Sequence, residues 1–171
     1  LLACWARKNF YNSTKDLEMS KDSVSTNDQM PLYAFQRLIN VFGKIKNLNI
    51  AFLGVSYRGD VGDTRFSPVE VLADKVREAG ANIKFHDPYI NYWHEQNCSI
   101  ESDIDDLLKP EPDLIIISTG HSEYKKEDTI MKILNLSPAR IFDTIGLLDD
   151  RQIKLLQGVH DVSVLGRGDI D

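Results

Sequence analysis

Short apolar segments alternate with amphipathic segments from residue 48 onward, and this alternation restricts the fold more than any other feature of the sequence. The apolar segments predict strands at 49–53, 82–86, 113–118, 140–143 and 162–165, and the amphipathic segments predict helices at 67–79, 127–135 and 151–157. Strands that each lead into a helix are typical of parallel sheets, because the helix returns the chain across the sheet.

This pattern predicts the α/β fold class. We expect a Rossmann-like, doubly wound, mainly parallel sheet with helices on both faces. A weaker strand near 98–100 would be the third of six, and the predicted strand order is then 3-2-1-4-5-6.

The first part of the sequence carries helical patterns without strand patterns. Asn27 or Asp28 can cap a helix that has Pro31 in its first turn, and Gly43 would end it. An apolar helical pattern is already under way at Leu1 without an initiator Met, so we expect a piece of a longer chain. We therefore divide the sequence into a helical region, 1–43, and a Rossmann-like domain, 44–171.

The loop after the first predicted strand carries charges where a dinucleotide-binding loop carries glycines. Gly54 is present, but the G-x-G-x-x-G spacing is not completed. The loop instead contains a tyrosine, two arginines and two aspartates: Tyr57, Arg58, Asp60, Asp63 and Arg65. The two guanidinium groups could bind a diphosphate, with the aspartates bracing them. Alternatively, the four charges form surface ion pairs of little energetic weight.

The ends of the other predicted strands offer few catalytic groups. Asp87 either holds ribose hydroxyls, as the acid at this position of a dinucleotide fold does, or turns the chain together with Pro88. The four histidines have no metal-ligand spacing, so we expect no metal site. A small α/β enzyme that acts through His121 or Asp87 remains one alternative.

Composition excludes several classes of protein. The net charge of −6 argues against a general nucleic-acid binder. No segment is apolar for long enough to cross a bilayer, so we expect no membrane partner. Cys4 and Cys98 are too few and too far apart for a disulfide framework, which predicts reduced thiols and a cytoplasmic location.

Two ordered motifs carry a resemblance to a known family. FLGVSYRGDVGDTRFSP, followed by AGANIKFHDP, resembles the carboxy-terminal, UDP-sugar-binding domain of the UDP-glucose/GDP-mannose dehydrogenase family. Members carry a G-x-x-[YF]-K-x-x-x-x-D-x-R-x-S-P loop and then a strand that ends in [YH]-D-P. The flanking segments TNDQMPLYAFQRLI, PDLIIISTGHSEY and VLGRG are also similar to family segments.

The resemblance implies an NAD-dependent UDP-sugar 6-dehydrogenase, which oxidises the C6 alcohol of UDP-glucose or a related nucleotide sugar to a uronic acid. In such enzymes an N-terminal domain binds most of the NAD and a separate motif supplies the catalytic cysteine. Neither is recognisable in this sequence, so Cys4 is not the nucleophile and we expect the fragment alone to be inactive. Residues 1–43 would end the central dimerisation region of a homodimer, and 44–171 would bind a UDP-sugar or GDP-sugar.

The resemblance also assigns roles within the loop. Tyr57 and Arg58 match the aromatic residue and lysine that contact the sugar nucleotide, and Arg65 matches the arginine that reaches toward NAD. Asp60 and Asp63 match supporting acids.

Two departures from the family pattern concern the substrate. Arg58 replaces the usual lysine. After the fifth predicted strand the family often reads D-x-R, whereas Asp143-Thr144-Ile145-Gly146 contains no arginine, and this weakens the case for UDP-glucose specifically. The alternative function is a non-catalytic Rossmann-like binding or oligomerisation module.

Overall fold

The computed structural model describes residues 18–169, in which a five-stranded sheet is flanked by helices. The strands are β1 (Asn49–Leu53), β2 (Asn82–His86), β3 (Tyr92–Trp93), β4 (Cys98–Ser99), β5 (Leu114–Ile117), β6 (Arg140–Asp143) and β7 (Asp161–Val164). The α-helices are α1 (Glu18–Phe42), α2 (Pro68–Glu78), α3 (Ile104–Leu107), α4 (Glu127–Leu134) and α5 (Asp150–Leu156), and a short 3₁₀ helix spans Ser122–Lys125.

The large sheet confirms the predicted fold class. Its order is β2-β1-β5-β6-β7 and every neighbouring pair is parallel. The strand predicted near 98–100 is present as β4, but its predicted place in the large sheet is wrong, because β4 pairs antiparallel with β3 in a separate two-stranded sheet. Trp93 of this hairpin is fully buried with its ring 5.1 Å from that of Phe85 in β2. The hairpin therefore covers this edge, where only a single bridge from His86 to Glu101 continues the sheet.

Two apolar cores lie on the two faces of the sheet. Successive residues of a strand point to opposite faces, so Phe52 belongs to the core under α1 and α2, whereas Leu53 belongs to the core under α4 and α5. All four residues of β5 are buried, as expected for a central strand covered on both sides. Helices on both faces are thus confirmed.

Helix α1 is longer than the sequence predicts. The expected start at Asn27 or Asp28 is wrong, because the helix begins upstream and continues through Pro31 to Phe42. Proline lacks the N–H that would bond the carbonyl one turn earlier, but the helix persists around this gap. After Pro31 the helix is held by packing, since Leu38 and Phe42 are buried in the core. The division at residue 43 stays a prediction, and a helix at 1–8 would lie outside the described residues.

Standard capping residues mark two helix ends, of which the end of α1 at Gly43 was predicted from the sequence. Gly43 ends α1 with φ +74°, and its N–H bonds the Ile39 carbonyl at 2.9 Å. The Ser67 side chain caps α2 by accepting from the Val69 N–H at 3.3 Å, with Pro68 in the first helical position. Within residues 18–169, none of the helices is long and apolar enough to cross a membrane.

Candidate functional site

The carboxyl ends of β1 and β5 mark the place where a doubly wound sheet usually binds its ligand. From β1 the chain order runs outward to β2, and from β5 it runs outward the other way to β6 and β7. The loops that follow β1 and β5 therefore diverge, which in this fold class opens a crevice between them.

In this protein the carboxylate of Asp87 occupies that crevice. Its Oδ2 accepts hydrogen bonds from the Val55 N–H at 3.0 Å, the Ser56 N–H at 3.1 Å and the Ser56 hydroxyl at 2.9 Å. Such amides, just after the first strand, face the pyrophosphate in a dinucleotide-binding loop. Here they already bind an anion that belongs to the chain.

Asp87 is therefore a structural anion. The interpretation as a ribose ligand is wrong, because the side chain is 1% exposed and both oxygens are engaged. The turn interpretation agrees with the structure, since Oδ1 accepts from the Tyr89 N–H at 3.0 Å. Burial opposes ionisation, but hydrogen bonds from His121, Val55 and Tyr89 outweigh it and hold the pKa of Asp87 below its usual value.

His121 links Asp87 to the loop that follows β1. Its Nε2 lies 3.0 Å from Asp87 Oδ2, and its Nδ1 accepts from the Asp60 N–H at 2.9 Å. The ring is completely buried. An enzyme that acts through His121 or Asp87 is therefore not what the structure supports, because neither side chain can reach a substrate.

The loop after β5 packs tightly against the loop after β1. A Cβ atom on Gly54 would lie 2.3 Å from the Thr119 Cβ, and one on Gly59 would lie 2.1 Å from the Gly120 carbonyl oxygen. The Thr119 hydroxyl donates to the Ser56 carbonyl at 2.8 Å. Side chains are thus excluded at Gly54 and Gly59 by the neighbouring loop, not by a bound phosphate.

Asp60 fixes the tip of the loop after β1 to the 3₁₀ helix. Its Oδ1 accepts from the N–H of Ser122 at 2.8 Å and from the hydroxyl of Ser122 at 3.0 Å. These bonds, the backbone one first, hold the pKa of Asp60 below its usual value. Asp60 therefore anchors the loop and does not brace an arginine.

Asp63 lies beside both arginines of the loop. It forms a two-pronged ion pair with Arg65, with Nε to Oδ1 at 2.9 Å and Nη2 to Oδ2 at 2.8 Å. Hydrogen bonds from Arg65, together with the charge of Arg58, lower the pKa of Asp63 to about 2. Arg58 itself forms no hydrogen bond or ion pair within 4.0 Å to residues 18–169, so its guanidinium group is available to a ligand.

Aromatic side chains extend the exposed part of this loop. Tyr57 is 57% exposed and directly precedes Arg58. Phe66 is 88% exposed and has φ +60°, a left-handed conformation that is unusual for an aromatic residue. The loop therefore presents both cations and apolar rings at the carboxyl edge of the sheet. We name residues 57–66, which carry these groups, the charged loop.

A cavity of about 250 Å³ lies at the same edge, between α1 and α2. Its walls include Ser118 after β5, Thr144 and Ile145 after β6, and Met30 and Pro31 of α1. Ile145 is the second residue after Asp143, in the short segment where the sequence lacks the arginine found in many family members. Burial raises the pKa of Asp143, whose carboxylate accepts from the N–H groups of Ile145 and Leu148.

The structure places all five residues that the sequence selected on one loop, but reasoning from the sequence did not identify what holds this loop in place: His121 was considered only as a catalytic residue, and Thr119 and Ser122 were not selected. Thr119, His121 and Ser122 follow β5 and were distinguishable only as polar residues at a strand end. Their role depends on two loops more than 50 residues apart along the chain meeting in space, as the hydrogen bond between residues 60 and 121 shows. Among residues 18–169, no group of three or more His, Cys, Asp or Glu side chains is arranged to hold a metal ion.

Comparison with protein families places the site in a known context. Residues 51–150 match the UDP-glucose/GDP-mannose dehydrogenase family, UDP binding domain. The chain belongs to this family. The matched segment begins in β1, contains the charged loop and Asp87, and ends at the start of α5.

Individual relatives cover nearly the whole chain. The UDP-N-acetyl-D-mannosamine dehydrogenase of Methanococcus vannielii is 29% identical over 163 residues, which cover 91% of this chain and 36% of the relative. The enzyme of the same name from Methanocaldococcus jannaschii is 29% identical over 158 residues, with 91% and 35% covered. The chain thus spans about a third of the length of these curated relatives.

A solved structure shows the same fold. The NDP-N-acetyl-D-galactosaminuronic acid dehydrogenase of Methanosarcina mazei superposes with a TM-score of 0.69 at 26% identity, covering 84% of this chain and 30% of that one. The domain is therefore part of an oxidoreductase family whose members act on nucleotide sugars.

Proposed function

We propose that this chain is the nucleotide-sugar-binding part of an NAD-dependent UDP-sugar 6-dehydrogenase that oxidises a C6 alcohol to a uronic acid. The observation that carries the proposal is the exposure of the Arg58 side chain, together with its lack of a partner among residues 18–169. Its guanidinium group is exposed and unpaired among residues 18–169, on a loop whose tip is held by hydrogen bonds to His121 and Ser122. A guanidinium group in this state suits the paired acceptors of a diphosphate.

The relatives and the cavity wall together favour an N-acetylated UDP-sugar as the substrate. Both curated relatives described above are UDP-N-acetyl-D-mannosamine dehydrogenases. Ile145 gives the cavity an apolar wall near the position where the family pattern has an arginine. An apolar wall suits the methyl group of an acetamido substituent better than it suits a hydroxyl group of glucose. UDP-glucose and GDP-mannose are the competing substrates.

The described residues do not fit an NAD-binding site at the switch between β1 and β5. The amides of Val55 and Ser56 are engaged by Asp87, and the adjacent carboxylate would repel a pyrophosphate. We therefore propose that NAD is held mainly by another part of the full-length protein, and that Arg65 of the charged loop faces it. The homodimer and the cytoplasmic location predicted from the sequence belong to the same proposal.

Substitution of Arg58 in the full-length protein tests the substrate site. Arg58→Ala should raise the KM for UDP-N-acetyl-D-mannosamine by about tenfold to a hundredfold, as expected for lost charge-assisted hydrogen bonds. The KM for NAD should stay unchanged. Arg58→Lys, which restores the usual family residue, should recover most of the affinity.

Arg77→Ala is the matched control, because this arginine is exposed in α2 and pairs with Asp74 outside the charged loop. An unchanged sugar-nucleotide KM in Arg58→Ala would remove Arg58 from the site.

The 171-residue chain alone should not reduce NAD with any UDP-sugar, and turnover by it would refute the proposed division of labour.

A further inference from the structure

The segment that carries Arg58 is fixed on both sides of this residue. On one side, the Tyr57 N–H bonds the Asp63 carbonyl at 2.7 Å and closes the neck of the loop. On the other side, the Asp60 N–H bonds His121 Nδ1 at 2.9 Å. The first bond lies within the loop, so the second is the backbone bond that ties the tip to the rest of the domain.

The proton arrangement on His121 follows from its partners. A backbone N–H can only donate, so Nδ1 must accept and the ring proton must be on Nε2. Nε2–H then donates to Asp87 Oδ2 at 3.0 Å. Asp87 is fixed in turn by the Val55 and Ser56 amides. The hydrogen bonds thus run from the residues just before the charged loop, Val55 and Ser56, through Asp87 and His121 to the tip of the loop.

The tip needs this support because its backbone is unusual. Asp60 has φ +59°, a left-handed conformation that is uncommon for residues other than glycine. Its N–H is held by His121 and its carboxylate by Ser122. Without the acceptor on His121, the peptide between Gly59 and Asp60 could turn, and the direction of the Arg58 side chain would change with it.

We propose that His121, held in its Nε2–H form by Asp87, is a positioning residue for Arg58 and thereby sets the affinity for the diphosphate of the nucleotide sugar. The inference rests on the proposed function. His121 touches no ligand, because its ring is completely buried. His121 acts through its hydrogen bond with the Asp60 N–H, so its role differs from that of a residue that only fills space in the core.

Two amide substitutions separate the two hydrogen bonds of His121. The amide of His121→Asn can place an oxygen near the Nδ1 position and keep the acceptor for Asp60. The longer His121→Gln side chain can keep the donor to Asp87 but withdraws that acceptor. Both leave a smaller, polar side chain in the same buried place, so they are matched for the cost of lost packing.

The affinity of the full-length protein for UDP, measured by calorimetry, is the readout. His121→Gln should weaken UDP binding about tenfold, the equivalent of one hydrogen bond, whereas His121→Asn should weaken it much less. The KM for NAD should be the same in both. Equal UDP affinity in the two variants would overturn the inference, because a packing role does not distinguish them.

A double-mutant cycle with Arg58→Ala separates this inference from the proposed function. In the Arg58→Ala background, His121→Gln should cause no further loss of UDP affinity. Additive losses would contradict positioning while leaving the role of Arg58 intact. If Arg58→Ala alone leaves UDP affinity unchanged, the proposed function fails first.

Should His121→Gln not fold, Ser122→Ala replaces it in the cycle, with non-additive losses supporting the inference and additive losses overturning it.

Discussion

Gly59 is the residue at which the charged loop comes nearest to its neighbour. A Cβ atom there would lie 2.1 Å from the carbonyl oxygen of Gly120 and 2.7 Å from its carbonyl carbon. Both are backbone atoms, so they cannot rotate away as the end of a side chain could. Gly59 does not have a positive φ value. The lack of space for a side chain, and not the backbone conformation, therefore requires glycine here.

Gly59→Ala should therefore destabilise the protein by about 1–3 kcal/mol, the usual cost of forcing an extra group into a packed site. The loop should also shift, so UDP affinity of the full-length protein should fall. Gly168→Ala is the control, because no atom of residues 18–169 lies within 4 Å of a Cβ atom at that position. Urea unfolding gives the stability, and equal unfolding midpoints for the two variants would contradict the close approach.

At the scale of secondary structure, the second half of α1 packs one of its faces against the rest of the domain. Leu38 is completely buried there, whereas Leu32 of the same helix is 42% exposed. Residues 21–30 are all exposed, so the first half of the helix contributes little to the described core.

The two leucines give a matched test of this packing. Leu38→Ala should lower the free energy of unfolding by about 2–5 kcal/mol, because it leaves a cavity under the helix. Leu32→Ala should change it by about 0.5 kcal/mol or less, as surface substitutions usually do. Chemical unfolding followed by circular dichroism measures both, and similar losses in the two variants would show that α1 is not held in this way.

The success of the sequence predictions also differs among elements. The large parallel sheet and α2 were predictable because their apolar residues repeat with a clear period and Ser67-Pro68 marks a helix start. The start of α1 was not, because its upstream residues are polar and carry no apolar period. A strand near β4 was predicted, but β3 and the antiparallel pairing of the two were missed because each strand has only two residues.

For the molecule as a whole, two buried histidines couple stability to pH. Burial lowers the pKa of His86 and His160 from the usual 6.5, and in His160 the bonds to the Ile133 and Leu134 carbonyls only partly oppose this effect. The unfolded chain therefore binds more protons than the folded chain once the pH falls below 6.5. The stability that these residues contribute is complete above that pH and is lost as the pH falls toward their lowered values.

The urea midpoint should therefore decrease between about pH 7 and pH 5. His160→Asn, whose amide oxygen can still accept from the Ala139 N–H, should reduce that slope. His94→Gln, at an exposed position, should not. A midpoint that is constant or rises as the pH falls through this range would contradict the prediction.

The candidate site was only partly predictable for a reason that also concerns the whole molecule. The charged loop is contiguous, so its five residues could be selected from one stretch of sequence. The residues that support the loop come from the end of β2 and from the segment after β5. Nothing in the sequence indicates that these two segments are in contact. Asp87 illustrates the difficulty, because an acid at the end of the second strand is typical of a ribose ligand until its neighbours are known.

The internal anion at Asp87 limits how this domain could be redesigned. Restoring glycines after Gly54 would not convert the loop into a cofactor site, because a carboxylate would still compete for the Val55 and Ser56 amides. Removing Asp87 alone would leave those amides and the His121 donor buried without an acceptor. Acquisition of a dinucleotide site would therefore require replacement of Asp87 together with changes that satisfy the Val55 and Ser56 amides and the His121 donor.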